Sequence, residues 1–381
     1  MAIKSNSLNN DPQDKTEQVI GAPLKSYSLV RRIWRSIRRL LRMMQWEMSA
    51  FPALMGVRHP VTRRLLLIYD FASQPFSVGD ILIFQEASLV LREMHSLGEI
   101  DFAAVYEPAK PVVADPAFSW IDPDSFLFHL SSLLPVAQMN PHLGSLFLFN
   151  SHRQLESFIA DNISYYHVWP TLPQYASREY LYNYCFNELF YSYYQQHGAL
   201  PNLTSRPAAL AWAKQFIEEH APSSVSVTVQ LRNNKVNPAR NSNYDAWIAF
   251  FKHCGERYPV KFIVICGYSE VDPRLRHMKN VTVAKDYCTS VEQDLALIEA
   301  ARMHMGASSG PGTMVLFSSK PYCIFNWEAN LSTIKGFVQD EHRYRFYLSR
   351  PYQNSIFGKE TPDLLIAEFK RLWSILEQPS S

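Results

Sequence analysis

The segment Gly306-Ala-Ser-Ser-Gly-Pro-Gly312, followed by Thr313, joins three glycines to two serine hydroxyls. Small residues let a backbone approach a ligand closely, and the start of the helix predicted at Thr313 to Phe317 presents free N–H groups. Ser308, Ser309, Gly310 and Gly312 therefore suit a diphosphate, although two-glycine loops are also common as plain turns. A second group, Arg232-Asn-Asn-Lys235 with Arg240-Asn-Ser242, supplies cations for the same phosphates. A guanidinium at Arg232 or Arg240 can grip one phosphate through two hydrogen bonds, and Lys235 adds a point charge. Gly267-Tyr268-Ser269-Glu270 and the run Lys285, Asp286, Tyr287 add further polar and aromatic side chains, Tyr268 and Asp286 among them. Far upstream, Ser77-Val-Gly-Asp80 offers a carboxylate at the opening of a helix, where Asp80 serves as a general base or simply as the cap of a helix beginning at Ile81.

Each of these groups follows a predicted strand, and in open parallel sheets ligands bind beyond the carboxyl ends of the strands. The apolar runs Leu65–Asp70, Phe102–Tyr106 and Leu146–Phe149 alternate with helical stretches at Ile81–Ser96, Ser125–Leu134 and His152–Ala160. A second series begins with a helix at Pro207–His220 and a strictly alternating strand at Val225–Leu231. Strands at Val260–Cys266, Val281–Val283, His304–Met305 and Tyr322–Phe325 follow, separated mostly by helices at Tyr244–Cys254, Val291–Arg302 and Thr313–Phe317. The expected fold is α/β: two Rossmann-like parallel-sheet domains facing a cleft, with an N-terminal amphipathic helix. The expected boundaries are 1–24 for a disordered lead-in, 25–60 for a basic helix and linker, 61–200 for the first sheet domain, 201–360 for the second, and 361–381 for a closing helix and tail. Nine of the twenty tyrosines fall between Tyr165 and Tyr194, largely on a helix at Arg178–Gln196. Such density suits packing between domains, or a lip that stacks on a sugar ring.

Composition narrows the classes further. The chain of 381 residues is 47% hydrophobic and 19% charged, which excludes general disorder, and its net charge of +2 excludes a uniformly basic nucleic-acid binder. That average hides a local excess. Residues 25–46 hold seven basic side chains and no acidic one, leaving residues 47–381 with 28 basic and 32 acidic. Val30, Ile33, Trp34, Ile37, Leu40, Leu41 and Met44 recur at helical spacing among the arginines, a pattern suited to an anionic membrane surface at about 1 kcal/mol per basic residue. The bland alternative is a helix packed on its own domain with a solvated basic face. No apolar run reaches the length of a membrane span, the first 24 residues do not resemble a secretory signal, and five scattered cysteines fit reduced thiols in a cytosol.

Ser77-Val-Gly-Asp80, Ala307-Ser-Ser-Gly-Pro-Gly312 and Lys320-Pro-Tyr-Cys-Ile-Phe-Asn326 together resemble the bacterial heptosyltransferases and related glycosyltransferases of the two-Rossmann GT-B class. The likeness extends over Leu65 to Trp327 as architecture and over short motifs as sequence. It implies that 61–200 is an acceptor-side domain and 201–360 a nucleotide-sugar-binding domain, that Asp80 is the general base, that the Gly/Ser loop holds the nucleotide diphosphate, and that the nucleobase lies near Tyr268 or Asp286. One departure is clear: those enzymes carry a histidine shortly after the loop's glycine, where this chain has Pro311, Gly312 and Thr313. The implied activity is inverting, metal-independent transfer from a nucleotide-sugar, a substrate rather than a cofactor, to a glycan or lipid-linked envelope acceptor. It would take place in the cytoplasm, on the inner face of the membrane. The alternatives are a non-catalytic nucleotide-binding scaffold and a nucleotide-sugar epimerase. Asp122-Pro-Asp124 matches a metal-binding pattern but precedes a helix, where Asp124 caps more simply; His129, His142 and His167 read as structural, with His142 or Glu86 as substitute bases.

Overall fold

A computed structural model describes residues 64–107, 126–171, 174–175, 181–234, 238–327, 336–338 and 342–377, with six helical positions nearer the N-terminus. The chain forms two compact units, Met1–Gln45 and Trp46–Ser381. In the first, Ile33, Trp34, Ile37, Leu40, Leu41 and Met44 are helical and 42–57% exposed, so the apolar stripe faces outward at each described position. Lys25, Val30, the arginines of this segment and the lead-in lie outside the described residues, as do Asp122 and Asp124.

In the second unit, β1 (Arg64–Asp70), β2 (Ile100–Val105), β3 (Leu143–Phe149) and β4 (Tyr166–Trp169) form a parallel sheet in the order β3-β2-β1-β4. Leu65, Leu67 and Tyr69 of β1 share a core with helix α1 (Val78–Met94) and α2 (Phe126–Leu133), while Leu66 and Ile68 pack with α3 (His152–Asn162). Burial on both faces is why β1 reads as an unbroken apolar run rather than an alternating one. Four-residue β4 was not among the expected strands, being too short to show a pattern.

Helix α4 follows as Tyr182–Tyr184, six π-helical residues Cys185–Phe190, and Tyr191–His197; α5 spans Pro207–His220. The second sheet has five parallel strands, β5 (Val225–Gln230), β6 (Val260–Ile265), β7 (Val281–Val283), β8 (Met303–Ala307) and β9 (Tyr322–Trp327). Three unexpected strands extend it: β10 (Gly336–Val338), β11 (Arg343–Phe346) and β12 (Asn354–Phe357), in the order β10-β11-β12-β9-β8-β5-β6-β7. Strand β12 runs parallel to β9, and β10 and β11 are antiparallel additions. On one face, α6 (Tyr244–Gly255) and α9 (Pro362–Glu377) bury Trp247, Phe250, Phe369 and Trp373. On the other lie α7 (Val291–Ala300) and the single turn α8 (Thr313–Leu316). The alternation in β5 marks no solvated face: Ser226, Thr228 and Gln230 are buried because helices cover both sides.

One apolar core runs through both halves. Tyr69, Phe84 and Trp169 come from the first, Leu297, Met314 and Phe346 from the second, and Phe186 and Phe190 of α4 join them. Each such side chain contributes about 1.5–3 kcal/mol on burial, so the halves are held together by more than a linker. The expected packing role of the tyrosine-rich helix is borne out at Tyr191 and Tyr194, whose rings lie 5.0 and 5.5 Å from that of Tyr347. Among the described residues no helix is long and apolar enough to cross a membrane, and all five cysteines are free.

Candidate active site

The turn after β1 is closed by its own backbone, with Gln74 N donating to Asp70 O (2.8 Å) and Tyr69 Oη donating to Pro75 O (2.5 Å). Ser77 then caps α1, accepting from Asp80 N at 3.2 Å, and its hydroxyl also bonds the Asp80 carboxylate. This corrects the expected helix start. The cap is Ser77, and Asp80 is the third helical residue, an acid in the first turn where the helix dipole favours negative charge. The Asp80 charge reaches Tyr69, Tyr182 and Cys185 and helps to hold their phenols and thiol protonated, secondary in each case to burial.

The two halves meet at this turn. A Cβ on Gly79 would lie 2.9 Å from Thr313 Oγ1 and 3.0 Å from Gly310 Cα. The start of α1 is thus in van der Waals contact with the Gly/Ser loop after β8, which brings the turn that bears Asp80 against the loop of Ser308, 228 positions further along the chain.

Around that loop the second half gathers its polar groups. The segment after β5 folds back on itself: Arg232 N donates to Ser242 Oγ (3.1 Å), Ser242 N to Arg232 O (2.9 Å), and Asn234 N to Asn241 Oδ1 (2.8 Å). The fold-back delivers Arg240, whose Nη2 donates to Ser308 O at 2.7 Å and Ser308 Oγ at 3.0 Å. Arg232 sits at the base of the same loop, and Lys235 lies outside the described residues. Gly306 permits close contact with β5, since a Cβ there would lie 2.5 Å from Gln230 O. Among the described residues, five buried polar atoms in this neighbourhood lack a hydrogen-bond partner: Arg240 Nε, Gln230 Oε1, His304 Nε2, Ser309 Oγ and Asn326 Oδ1. Each costs about 1–3 kcal/mol if left unmet, so their concentration at one loop fits a site shaped for a polar ligand. The expected helix at Thr313 is a single turn of four residues, so hydroxyls, loop N–H groups and arginines carry the electrostatics more than any helix dipole does.

His304 is a residue that sequence reasoning passed over as part of a strand. It is fully buried, one ring nitrogen is 3.0 Å from Thr228 Oγ1, and burial pushes its pKa down to about 3, so the ring is neutral. Its Nε2 faces Gly312, 3.7 Å from where a Cβ would stand.

Tyr268 and Asp286 follow β6 and β7 at the same edge of the sheet. Tyr268 is 62% exposed, its ring 5.1 Å from Lys285 Nζ, which also bonds Asp294 Oδ2 at 2.6 Å. Asp286 is engaged by Arg276 through contacts of 2.7–3.0 Å. The substitute bases are elsewhere. His142 precedes β3 at the amino edge, and Glu86 is fully buried, where burial above all pushes its carboxyl well above the usual carboxylate range. At the carboxyl edge of the first sheet, His152 bridges Asp70 Oδ2 and Glu107 Oε1 at 2.7 Å each, a cluster formed from three strand ends and invisible to local pattern. Among the described residues no group of three or more His, Cys, Asp and Glu side chains is arranged to hold a metal ion.

The fold has counterparts. The structure of Escherichia coli ADP-heptose lipopolysaccharide heptosyltransferase II is similar at a TM-score of 0.51 and 11% identity, over 83% of this chain and 100% of that one. A family 9 glycosyl transferase from Veillonella parvula is similar at 0.51 and 10% identity, over 84% of this chain and 99% of that one. The likeness is one of fold, and it matches the two-Rossmann architecture expected from the sequence. No family profile and no curated protein sequence matches the chain.

Proposed function

We propose that this protein is an inverting glycosyltransferase that moves a sugar from a nucleotide-sugar to a glycan acceptor. The observation that carries the reading is the contact of the Gly79–Asp80 turn with the Gly310 loop, whose Ser308 is bonded by Arg240. The contact supports a carboxylate from the first half working next to a diphosphate cradle in the second, as displacement at an anomeric carbon requires.

The donor diphosphate lies at Ser308, Ser309, Gly310 and Gly312, gripped by Arg232, Lys235 and Arg240, with its base toward Tyr268 or Asp286. Asp80 takes the proton of an acceptor hydroxyl as that oxygen bonds to the anomeric carbon. The bond from that carbon to the diphosphate breaks, and its electron pair leaves with the phosphate oxygen. Charge on the departing group is met by the arginines and loop N–H groups, a set that serves without a metal ion. The likeness to an enzyme described by ADP-heptose supports a nucleotide diphosphate sugar as donor.

The outward stripe from Ile33 to Met44, set among arginines in the sequence, supports binding to an anionic membrane surface and hence a lipid-linked acceptor on its cytoplasmic side. Deleting residues 1–46 should abolish sedimentation with anionic liposomes; unchanged sedimentation would remove the membrane from the account. One contact favours a second reading. The Ser77 hydroxyl satisfies Asp80 as an ordinary first-turn residue, which is all that a non-catalytic nucleotide-binding scaffold needs. A panel of UDP-, ADP- and GDP-sugars with purified protein separates the two: release of nucleoside diphosphate with an acceptor supports transfer, and binding without turnover of any member supports the scaffold.

A further inference from the structure

The run Lys320-Pro-Tyr-Cys-Ile-Phe-Asn326 ends in a polar residue that the transfer chemistry leaves unused. Asn326 lies near the end of β9, is 5% exposed and has a φ of +53°, a left-handed backbone that asparagine tolerates better than most residues. It belongs to a bulge: between the pairs Ile324–Ser355 and Trp327–Phe357, β9 carries one residue more than β12. Such an extra residue re-aims a side chain out of the strand's alternation, and bulges are frequent beside active sites. The re-aimed amide meets two acceptors, its Nδ2 donating to Glu360 Oε2 at 2.8 Å and to Asn241 O at 3.2 Å. One residue back, Phe325 O accepts from Ser308 N at 2.8 Å. Asn326 therefore links the strand end on which Ser308 rests to the segment that delivers Arg240.

Glu360 stands behind this amide. It is 1% exposed, and among the described residues its carboxylate meets neutral donors only: Asn326 Nδ2, Trp247 Nε1 at 3.2 Å and Asn243 N at 3.3 Å. Asn243 Nδ2 also donates to Glu360 O at 3.2 Å. A buried carboxylate is costly unless several donors meet it, so the groups around this one are held in place. Asn241 and Asn243 are thus tied from one side, Ser242 between them bonds Arg232, and Arg240 stands at the end of the tied segment. We propose that Asn326, with Glu360 as its anchor, positions Arg240 for the donor diphosphate. Asn326 holds Asn241 O, and through it the adjoining Arg240, over Ser308; it touches neither phosphate nor sugar, and no bond is made or broken at it. A guanidinium fixed before its ligand arrives loses less freedom on binding. This assignment rests on the donor site proposed above.

The test is the calorimetric affinity of the full chain for UDP, ADP and GDP. Asn326→Gly keeps the left-handed backbone, which glycine adopts freely, and removes both amide bonds. Affinity for the nucleoside diphosphate that wild type binds most tightly should fall about tenfold. In the double variant Asn326→Gly, Arg240→Ala it should stay within about twofold of Arg240→Ala alone, because a residue that acts through Arg240 then has nothing left to position. Glu360→Gln, which keeps the side chain's size and loses its charge, should also lower affinity and show the same lack of additivity; it carries the test if Asn326→Gly does not fold. Unchanged affinity in either folded variant overturns the assignment. So do losses that add to that of Arg240→Ala, which would make this network a support of the fold at large. Wild-type protein that binds no nucleoside diphosphate would remove the donor site itself, and the assignment of Asn326 with it.

Discussion

Gly79 and Gly310 meet with no room for a side chain on either. A Cβ on Gly310 would stand 2.9 Å from Gly79 N and 3.1 Å from Val78 Cβ, and one on Gly79 would stand 3.0 Å from Gly310 Cα. The atoms in the way are largely backbone, which cannot swing aside as the end of a long side chain can. The contact fixes how far Asp80 stands from the Ser308 loop.

Gly79→Ala therefore sets two effects against each other. Alanine favours a helical position by about 1 kcal/mol over glycine, whereas overpacking at a close backbone contact costs about 1–3 kcal/mol. The second should win: the variant should melt lower than wild type and lose at least about tenfold in kcat/KM as Asp80 is pushed from the loop. A more stable and equally active Gly79→Ala would mean that the two turns do not touch.

Arg240→Ala removes both bonds to Ser308 and the guanidinium nearest the loop. Charged hydrogen bonds of this kind contribute about 1.5–3 kcal/mol, so nucleoside diphosphate affinity by calorimetry should fall about 10- to 100-fold. Arg240→Lys should recover only part, because an ammonium cannot reproduce the planar fork.

His304 gives the pH dependence its sign. With its pKa pushed down from 6.5 to about 3 by burial, the unfolded chain binds a proton in this range that the folded chain refuses. Its contribution to stability is full above about pH 6.5 and is lost as pH falls toward 3, at about 1.4 kcal/mol per pH unit. Urea unfolding between pH 7 and 4 should show a shallower loss in His304→Asn than in wild type. Parallel slopes would mean that the ring titrates freely in the folded protein.

His152→Ala leaves Asp70, 2% exposed, and Glu107 facing each other without the bridging imidazole. Leaving the buried Asp70 carboxylate without this hydrogen-bond partner costs about 1–3 kcal/mol. Urea unfolding at neutral pH should show a loss of that order, with nucleoside diphosphate affinity unchanged because the cluster belongs to the first sheet.

What the sequence discloses follows the range of the interaction. Leu65 to Asp70 announces a strand because six adjacent residues share one environment, and the loop from Gly306 to Gly312 announces a close approach because small residues adjoin. The start of α1 at Ser77 rather than Ile81 was missed because serine and aspartate are both good caps, and only the Ser77–Asp80 bond decides between them. Strand β4 and the additions β10 to β12 are three or four residues each, shorter than a periodicity needs. The environment of His304 and the Asp70–His152–Glu107 cluster depend on residues brought together from distant strands.

Asp80 is proposed to accept the proton of the acceptor hydroxyl. Asp80→Asn retains the side chain's shape and its hydrogen bonding near Ser77 while removing the basic oxygen. The decisive measurement is single-turnover release of nucleoside diphosphate by Asp80→Asn with the productive nucleotide-sugar and acceptor, alongside nucleoside diphosphate affinity. The rate should fall by about 100-fold or more with affinity retained; turnover at the wild-type rate would show that Asp80 is not the base.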